Sequence, residues 1–384
     1  MKQRMTIGFD AKRIVRNGTG LGSYGRTLVN DLARAAAVPE QDVCLRLYAP
    51  DAGSDDLRRQ VEGRPGVSFC YAPASRIPFY KQLWRSRLMV GSLVADEVDV
   101  FHGLSGELPV GLKQSGIHSV VTIHDLIFLR HPEYYNWIDT KIYAWKFRQA
   151  LREADHVVAI SECTRRDILA FGDIDDSRVS LVYQSCSPRF LPVEDPVELQ
   201  RAKAKYQLPD CFVLSVGSIE ERKNLLLAVK ALEKLPATVH LVAVGKSTAY
   251  VEKLVSEAQK SGTASRLHLL HGVPDDDLPA LYALADTFVY PSRYEGFGIP
   301  IIEAVSMGLP VVACTGSCLE EAGGPDNLYV APDDVDGLAD GIRRTLKGSA
   351  DREQRVARSQ DYVRRFAGNE AAARFLEIYQ SLCG

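Results

Sequence analysis

Tyr290-Pro-Ser-Arg-Tyr-Glu-Gly-Phe-Gly-Ile-Pro-Ile-Ile-Glu-Ala-Val-Ser-Met-Gly-Leu-Pro-Val-Val-Ala313 reads as a strand end, a glycine loop, a short helix and the start of another strand. Thr287 to Tyr290 is an apolar, β-favouring run that stops at Pro291. Pro300 suits the first helical position, where its missing N–H costs nothing. Gly308 and Pro310 end that helix, and Val311 to Cys314 reads as the next strand. Gly296 and Gly298 let the backbone approach a ligand, and N–H groups at the helix start form an anion site. Glu295 just before the loop and Glu303 in the first turn put a carboxylate on each side. Two acids flanking an anion pocket suit a ligand with both hydroxyls and phosphates, as a sugar nucleotide has.

Outward from this stretch, strands and helices alternate in two series. In the first half, Thr6 to Ala11, Val43 to Tyr48, Val67 to Tyr71, Val98 to His102, Ser119 to Ile123, Asp155 to Ser161 and Val179 to Tyr183 read as strands. Gly18 to Gly22 reads as a glycine loop and Ser23 to Ala37 as a helix. Gly20-Leu-Gly22-Ser-Tyr-Gly25 matches the dinucleotide pattern G-x-G-x-x-G, a weak signal: the loop does not follow the strand at once, and no acid stands at the required distance. Ser119 to Ile123 is almost wholly apolar, as buried parallel strands are, and delivers His124 and Asp125 at its carboxyl end. Pro188, Pro192 and Pro196 give a linker composition. The alternation then restarts with strands at Phe212 to Val216, His240 to Val244 and Leu267 to Leu270. Such a chain is expected to form α/β structure, two doubly wound Rossmann-like domains facing a cleft, over residues 1–190 and 191–368, with a final helix over 369–384.

At 384 residues, two domains are the natural expectation. A net charge of −3 gives no overall basic field, so nucleic acid is not indicated. The eight cysteines show no C-x-x-C pair and suit a reduced, cytoplasmic protein. No signal-peptide pattern and no long apolar run suggest a spanning segment. Arg76 to Val90 reads as a helix with Arg76, Lys81, Arg85 and Arg87 among aromatics and no acid. Two readings stand: a solvated helix, or a peripheral contact with anionic membrane. Tyr134 to Arg152 reads as a packed helix with one basic face.

Ser215-Val-Gly-Ser-Ile-Glu-Glu-Arg-Lys-Asn224 follows the first strand of the second half. Gly217 ends that strand and Asn224 can cap the next helix. Arg222 and Lys223 then stand at a sheet's carboxyl end, where two cations can neutralise a diphosphate leaving group. The Asp-x-Asp matches Asp173/Asp175, Asp275/Asp277 and Asp334/Asp336 do not follow apolar strands directly, as a metal-holding pair should, and read as caps and turns. No metal and no cofactor are expected.

The stretch from Glu295 to Val311 resembles the donor-site signature of the retaining family 4 glycosyltransferases, E-G-F-G-x-P-x-x-E-A-x-x-x-G-x-P-V, at every fixed position. Ser215 to Asn224 resembles the V-G-x-x-x-x-R-K-N element of that family's mannosyltransferase-like branch. Many relatives carry Arg directly after the glycine, where this chain has Ser218, so the diphosphate clamp must rest on Arg222 and Lys223. Val121 to Asp125, Ala154 to Ser161, Gly272 to Tyr282 and Gly316 to Gly324 look like further family elements, so the resemblance covers nearly the whole chain. It implies the two-domain GT-B fold, acceptor side first and nucleotide-sugar side second, with the last helix crossing back to the first domain. It also implies roles: Glu303 on the ribose hydroxyls, Glu295 on the transferred sugar, and N–H groups around Gly296, Phe297, Gly298 and Ile299 on sugar and phosphates. His124 would reach the sugar from the first domain, while Gly20, Gly22, Gly217 and Val273 would line the substrate.

These readings converge on a retaining, metal-independent transferase. It would move a sugar, mannose from GDP-mannose by the branch resemblance, to a hydroxyl of a lipid-linked or polysaccharide acceptor. Its expected place is the cytoplasm or the inner face of the cytoplasmic membrane. The rivals are a sugar-nucleotide epimerase or hydrolase on the same plan and a non-catalytic sugar-nucleotide-binding subunit.

Overall fold

A computed structural model describes residues 4–36, 43–193, 195–366 and 370–384. The chain divides into two compact units, Met1–Ser185 with Gly368–Gly384, and Cys186–Ala367. The first division falls at Ser185 rather than 190; the one expected at 368/369 lies outside the described residues.

Unit 1 holds a seven-stranded parallel sheet of β1 (Met5–Asp10), β2 (Val43–Ala49), β3 (Val67–Tyr71), β4 (Val100–Gly103), β5 (His118–Ile123), β6 (His156–Ala159) and β7 (Val179–Leu181). Their order is β3-β2-β1-β4-β5-β6-β7. Both faces are covered, and alternation along each strand sends side chains to two cores. Phe9, Val100, Val120 and Val158 go to one core; Phe101, Val121 and Val157 go to the other. Two helices follow β1 in quick succession, α1 (Lys12–Arg16) and α2 (Gly20–Ala36). The expected glycine loop is therefore largely helix, beginning at Gly20. A Cβ on Gly22 would lie 1.8 Å from the Asn17 carbonyl oxygen, so glycine there serves the close approach of two helices.

The stretch expected as a helix from Arg76 starts later, at Tyr80, and runs to Ala95 through a π-helical turn at Trp84–Leu88. α3 (Trp137–Glu153) is capped by Asn136, whose side chain accepts from the Ile138 N–H. It buries Ala144, Phe147 and Ala150, but Trp137, Tyr143 and Trp145 are exposed, against the expectation of a packed helix.

Unit 2 holds a six-stranded parallel sheet of β8 (Phe212–Val216), β9 (His240–Val244), β10 (Leu267–Leu270), β11 (Thr287–Tyr290), β12 (Val311–Cys314) and β13 (Leu328–Val330), ordered β10-β9-β8-β11-β12-β13. The proline-rich stretch is not merely a linker. Phe190 is buried edge-on against Tyr282, with ring centroids 5.6 Å apart, and Asp195 caps α4 (Pro196–Tyr206) with proline at its start. α5 (Leu225–Leu232), α6 (Leu278–Leu284) and α7 (Ile299–Ser306) pack around the sheet. Leu225, Leu227, Val289 and Val312 share one of its cores.

The last helix, α8 (Glu370–Cys383), belongs to unit 1. Ala372, Phe375, Leu376 and Tyr379 join the core of β1 and α2. Tyr379 Oη lies 2.7 Å from His102 Nδ1, and His102 Nε2 lies 2.8 Å from Thr122 Oγ1, which in turn lies 3.2 Å from Tyr24 Oη. Burial pushes the His102 imidazole down to about 3, so the ring is neutral in this chain of polar groups.

Candidate active site

In each sheet the strand order reverses next to the first strand, between β1 and β4 in unit 1 and between β8 and β11 in unit 2. Open α/β sheets bind ligands beyond the carboxyl ends of the strands at such a point. In unit 2 that point holds Gly217 after β8 and Tyr290 at the end of β11.

Gly217 has φ 147°, a conformation that favours glycine, and its nearest side-chain neighbour is Lys223, with Cε and Nζ both 3.8 Å from where a Cβ would stand. Glu221–Lys223 is a single 3₁₀ turn, zipped to the glycine loop by the Arg293 N–H, which donates to the Arg222 carbonyl at 2.9 Å. The Arg222 guanidinium donates to the Tyr294 carbonyl at 2.6 Å and to Glu220 at 2.8 Å. Lys223 Nζ donates to Tyr290 Oη at 2.6 Å and lies 4.8 Å from that ring's centroid.

Both cations also close on Glu295. Lys223 Nζ is 2.6 Å from Oε1 and Arg222 Nη1 is 2.9 Å from Oε2. Burial alone would raise the Glu295 carboxyl, but Lys223 and then Arg222 outweigh it and hold it below the usual range. Burial opposes the charge on both cations as well, and Glu295 overcomes it, so all three groups are ionised. The cluster is a buried anion held by two cations, with Tyr290 beneath.

Asn224 does not cap α5 with its side chain. It sits in the left-handed region at φ 53°, and its amide donates to the carbonyls of Pro291 at 3.1 Å and Pro332 at 2.7 Å. That holds the turn carrying Arg222 and Lys223 against the end of β11.

α7 begins at Ile299, so Pro300 is its second residue and Glu303 lies past the first turn. Gly298 is the N-cap, and its carbonyl accepts from the Ile301 and Ile302 N–H groups at 2.9 and 3.2 Å. A Cβ on Gly298 would meet Ala322 at 2.7 Å, a tight approach that glycine permits. Gly296 precedes Phe297, which is buried and packed edge-on to Phe366 at 5.5 Å. Glu303 accepts from the buried Tyr282 hydroxyl at 3.0 Å. Burial raises its carboxyl to about 7, against the opposing pull of Tyr282 and Arg189. The two glutamates thus differ: Glu295 is firmly ionised and Glu303 titrates near neutrality. Val273 lies in the loop after β10, half-buried.

In unit 1, His124 follows β5. Its Nε2 lies 2.8 Å from the Leu104 carbonyl and its Nδ1 2.9 Å from Gln184 Nε2. Since a carbonyl can only accept, Nε2 carries the proton and Nδ1 accepts from Gln184. Burial pushes the ring down to about 4, so it is neutral at ordinary pH. It stands edge-on to Tyr24 at 4.7 Å and borders a cavity of about 280 Å³ that Arg13, Phe128, Tyr143 and Lys146 also line. Gly20 stands open at the start of α2, with nothing within 4 Å of an added Cβ.

The three Asp-x-Asp pairs serve local structure. Asp175 accepts from the Ser177 N–H and Asp334 from the Gly337 N–H, both at 2.8 Å, while Asp277 holds Lys205 and Tyr206 of α4. Among the described residues no group of three or more His, Cys, Asp and Glu is placed to hold a metal ion.

Two family models match the chain, one in each half. Glycosyltransferase Family 4 matches residues 25–187, and Glycosyl transferases group 1 matches 197–361. The chain belongs to the family 4 glycosyltransferases.

This glycosyltransferase is 29% identical to O-antigen chain mannosyltransferase B of Escherichia coli, over 98% of this chain and 100% of that protein. It is 30% identical to the serotype-specific mannosyltransferase WbdA of the same organism over 66% of this chain, spanning about a third (32%) of that protein. Solved structures share its fold. Anabaena Alr3699/HepE in complex with UDP and glucose aligns with a TM-score of 0.75 at 19% identity, covering 99% of this chain and 100% of that one. The lipopolysaccharide-biosynthesis glycosyltransferase WaaG aligns with a TM-score of 0.71 at 18% identity, covering 98% and 99%. The fold of the glycosyltransferase is thus GT-B.

Sequence reasoning missed Tyr290 and Tyr282, the hydroxyls that hold Lys223 and Glu303. Tyr290 had a signal, since it ends a strand at the glycine loop, but Tyr282 lies on α6 and meets Glu303 only in the fold. The basic stretch also changes character. Arg85 is mostly buried and bound to Asp10, with Nε 2.9 Å from Oδ2, and to Glu107, while Lys81 pairs with Asp51 at 2.7 Å. Arg85 is therefore not available to lipid head groups. Among the described residues of the glycosyltransferase no helix is long and apolar enough to cross a membrane.

Proposed function

We propose that the protein is a retaining, metal-independent mannosyltransferase that uses GDP-mannose and extends a lipid-linked or polysaccharide acceptor at a hydroxyl. The observation that carries this reading is the closure of Arg222 and Lys223 on Glu295 at the switch point of the second sheet. Two buried cations there suit a nucleoside diphosphate, whose charge grows as the glycosidic bond breaks. Glu295 already pairs with both, so a diphosphate meeting them takes over part of a role that a protein carboxylate fills now. That exchange frees Glu295 to face the transferred sugar, where positive charge develops. Glu303 accepts from the ribose hydroxyls when ionised. His124 is neutral, and both ring nitrogens are engaged within unit 1, Nε2–H on the Leu104 carbonyl and Nδ1 accepting from Gln184, so it serves no proton transfer. Proton transfer from the acceptor falls to the donor's own phosphate oxygen, with attack on the leaving-group face, and the protein acts by orientation and electrostatics.

The mannosyltransferase relatives, one of them matched over its whole length, support mannose as the sugar and a bacterial surface glycan as the acceptor class. The reading includes work at the cytoplasmic face of a membrane, where lipid-linked acceptors are held.

Thermal unfolding with GDP, UDP, dTDP and ADP tests the donor. GDP is expected to stabilise most, by about 2.7 kcal/mol at a hundredfold excess over its dissociation constant. A larger shift with UDP refutes the GDP assignment. Release of nucleotide from GDP-mannose is expected only with a glycan acceptor present; release without one favours the epimerase or hydrolase reading, and no release with any acceptor favours a binding subunit.

A further inference from the structure

α3 has two faces of opposite character. Ala144, Phe147, Ala150 and Leu151 are buried in unit 1, while Trp137, Ile138, Lys141, Ile142, Trp145 and Arg148 are exposed. At 3.6 residues per turn, the exposed six, with Gln149 and Arg152, fall in an arc of about 140°. That arc contains no carboxylate: Glu153, about 20° beyond its edge, is buried and accepts from the Gly111 and Lys113 N–H groups, and exposed Asp139 lies about 60° beyond it. The two indoles are 66% and 57% exposed, whereas the third tryptophan of the chain, Trp84, is 2% exposed. Lys141 Nζ lies 4.6 Å from the Trp137 ring centroid, so its stem runs along an indole with the charge at the tip. Trp145 shares a crevice with Ser86 and Met89, which places α3 against the helical segment whose Leu83 and Leu88 are also exposed.

Large apolar groups in water are costly, and two indoles beside two isoleucines make a surface that needs a partner. The core of a protein interface is depleted in charge. Here cations are interleaved with the indoles along about 22 Å of helix, the composition of a helix lying in an anionic head-group layer. We propose that α3 docks unit 1 on an anionic lipid surface, with Trp137 and Trp145 in the interface and Lys141, Arg148 and Arg152 on lipid phosphates. The proposal moves the membrane contact from the basic stretch around Arg85 to a different helix, and adds an apolar component to an electrostatic one. It holds whichever sugar or nucleotide the enzyme uses.

The tryptophan distribution supplies the assay. With Trp84 buried, a change of emission on adding vesicles reports Trp137 and Trp145. Vesicles of phosphatidylglycerol and phosphatidylcholine, free of any acceptor lipid, are expected to shift the emission to the blue, and acyl-brominated lipid is expected to quench it. In vesicle co-sedimentation, which needs no indole signal, Trp137→Ala with Trp145→Ala should weaken partition by roughly thirtyfold or more. Lys141→Gln, Arg148→Gln and Arg152→Gln should each weaken it about fivefold on anionic vesicles and leave phosphatidylcholine partition unchanged. All five sites are exposed, so unchanged thermal unfolding is expected and confirms intact variants. Absence of a shift with vesicles, binding that the double tryptophan variant retains, or binding abolished altogether by high salt overturns the proposal. So does a blue shift that depends on protein concentration without lipid, which would make the partner a second copy of the chain.

Discussion

Glu295→Gln removes the buried carboxylate that the two cations share, leaving Arg222 with Glu220 at 2.8 Å and Lys223 with the Tyr290 hydroxyl. The side chains of Arg222 and Lys223 retain only 14% and 16% of their exposure, so neither can be rescued fully by water. Removing one partner of a buried pair costs about 3–5 kcal/mol, and partial access to solvent puts this case at the lower end, about 3 kcal/mol. For a unit of this size each kcal/mol moves the midpoint by roughly 2–4 °C, so the unfolding of unit 2 is expected to fall by roughly 6–12 °C. A nucleoside diphosphate brings the missing charge back. GDP is therefore expected to raise the midpoint of the variant by more than it raises that of the unmodified protein. Transfer should behave oppositely: losing a charge-assisted contact of about 1.5–3 kcal/mol beside the reacting sugar lowers kcat by roughly ten- to a hundredfold while free nucleotide still binds. Calorimetry with and without GDP, alongside steady-state transfer, measures both. An unchanged midpoint, or a GDP-induced shift smaller than in the unmodified protein, refutes the reasoning.

Glu303, at about 7 when folded, lies above its ordinary 4.5, so the folded protein holds the proton in that window; the stability this contributes is present below about 4.5 and is lost as pH rises through 7. Nucleotide affinity should run the other way, weakening as pH falls below 7, and Glu303→Gln should lose affinity and its pH dependence together when titrated by calorimetry. His102 and His124 fold at about 3 and 4, below their ordinary 6.5. The unfolded chain takes up protons that the folded one refuses, so thermal unfolding should show unit 1 losing stability as pH drops from 6.5 toward 4. A chelator should leave transfer intact; complete loss in EDTA, restored by magnesium or manganese, would remove the metal-free reading.

The central strands were legible because each is an apolar run closed by a turn residue, as Phe212–Val216 is closed by Gly217 and Thr287–Tyr290 by Pro291. β13 was not: its three residues sit half-buried at a sheet edge, and neither face gives a hydrophobic pattern. α4 was hidden by the prolines before it, although Asp195 followed by Pro196 is itself a helix-start signal. Long-range charge pairing was invisible in the same way. Arg85 reads as a surface cation until the fold brings Asp10, 75 residues earlier in the chain, against it. The Arg-Lys dipeptide and the glycine loop each pointed to an anion site, but their closure on one another through Glu295 is tertiary. The exposed indoles of α3 ran against the ordinary inference from pattern, because aromatic periodicity usually marks the buried face.

The hydrogen-bonded run from Tyr379 through His102 to Thr122 has a bearing on how the chain matures. Unit 1 leaves off at Ser185 and recovers its last helix only after Ala367, so all of unit 2 is translated in between. At about 5–20 residues per second, those residues take roughly ten to forty seconds to emerge from a ribosome. Throughout that interval the nascent first unit exposes the apolar seat of Phe375 and Leu376 and an imidazole with no tyrosine to bond, while the second unit is free to fold. The nascent first half is thus expected to need protection from aggregation, and truncations before α8 should be insoluble even though every residue of the Glu295 cluster is already made.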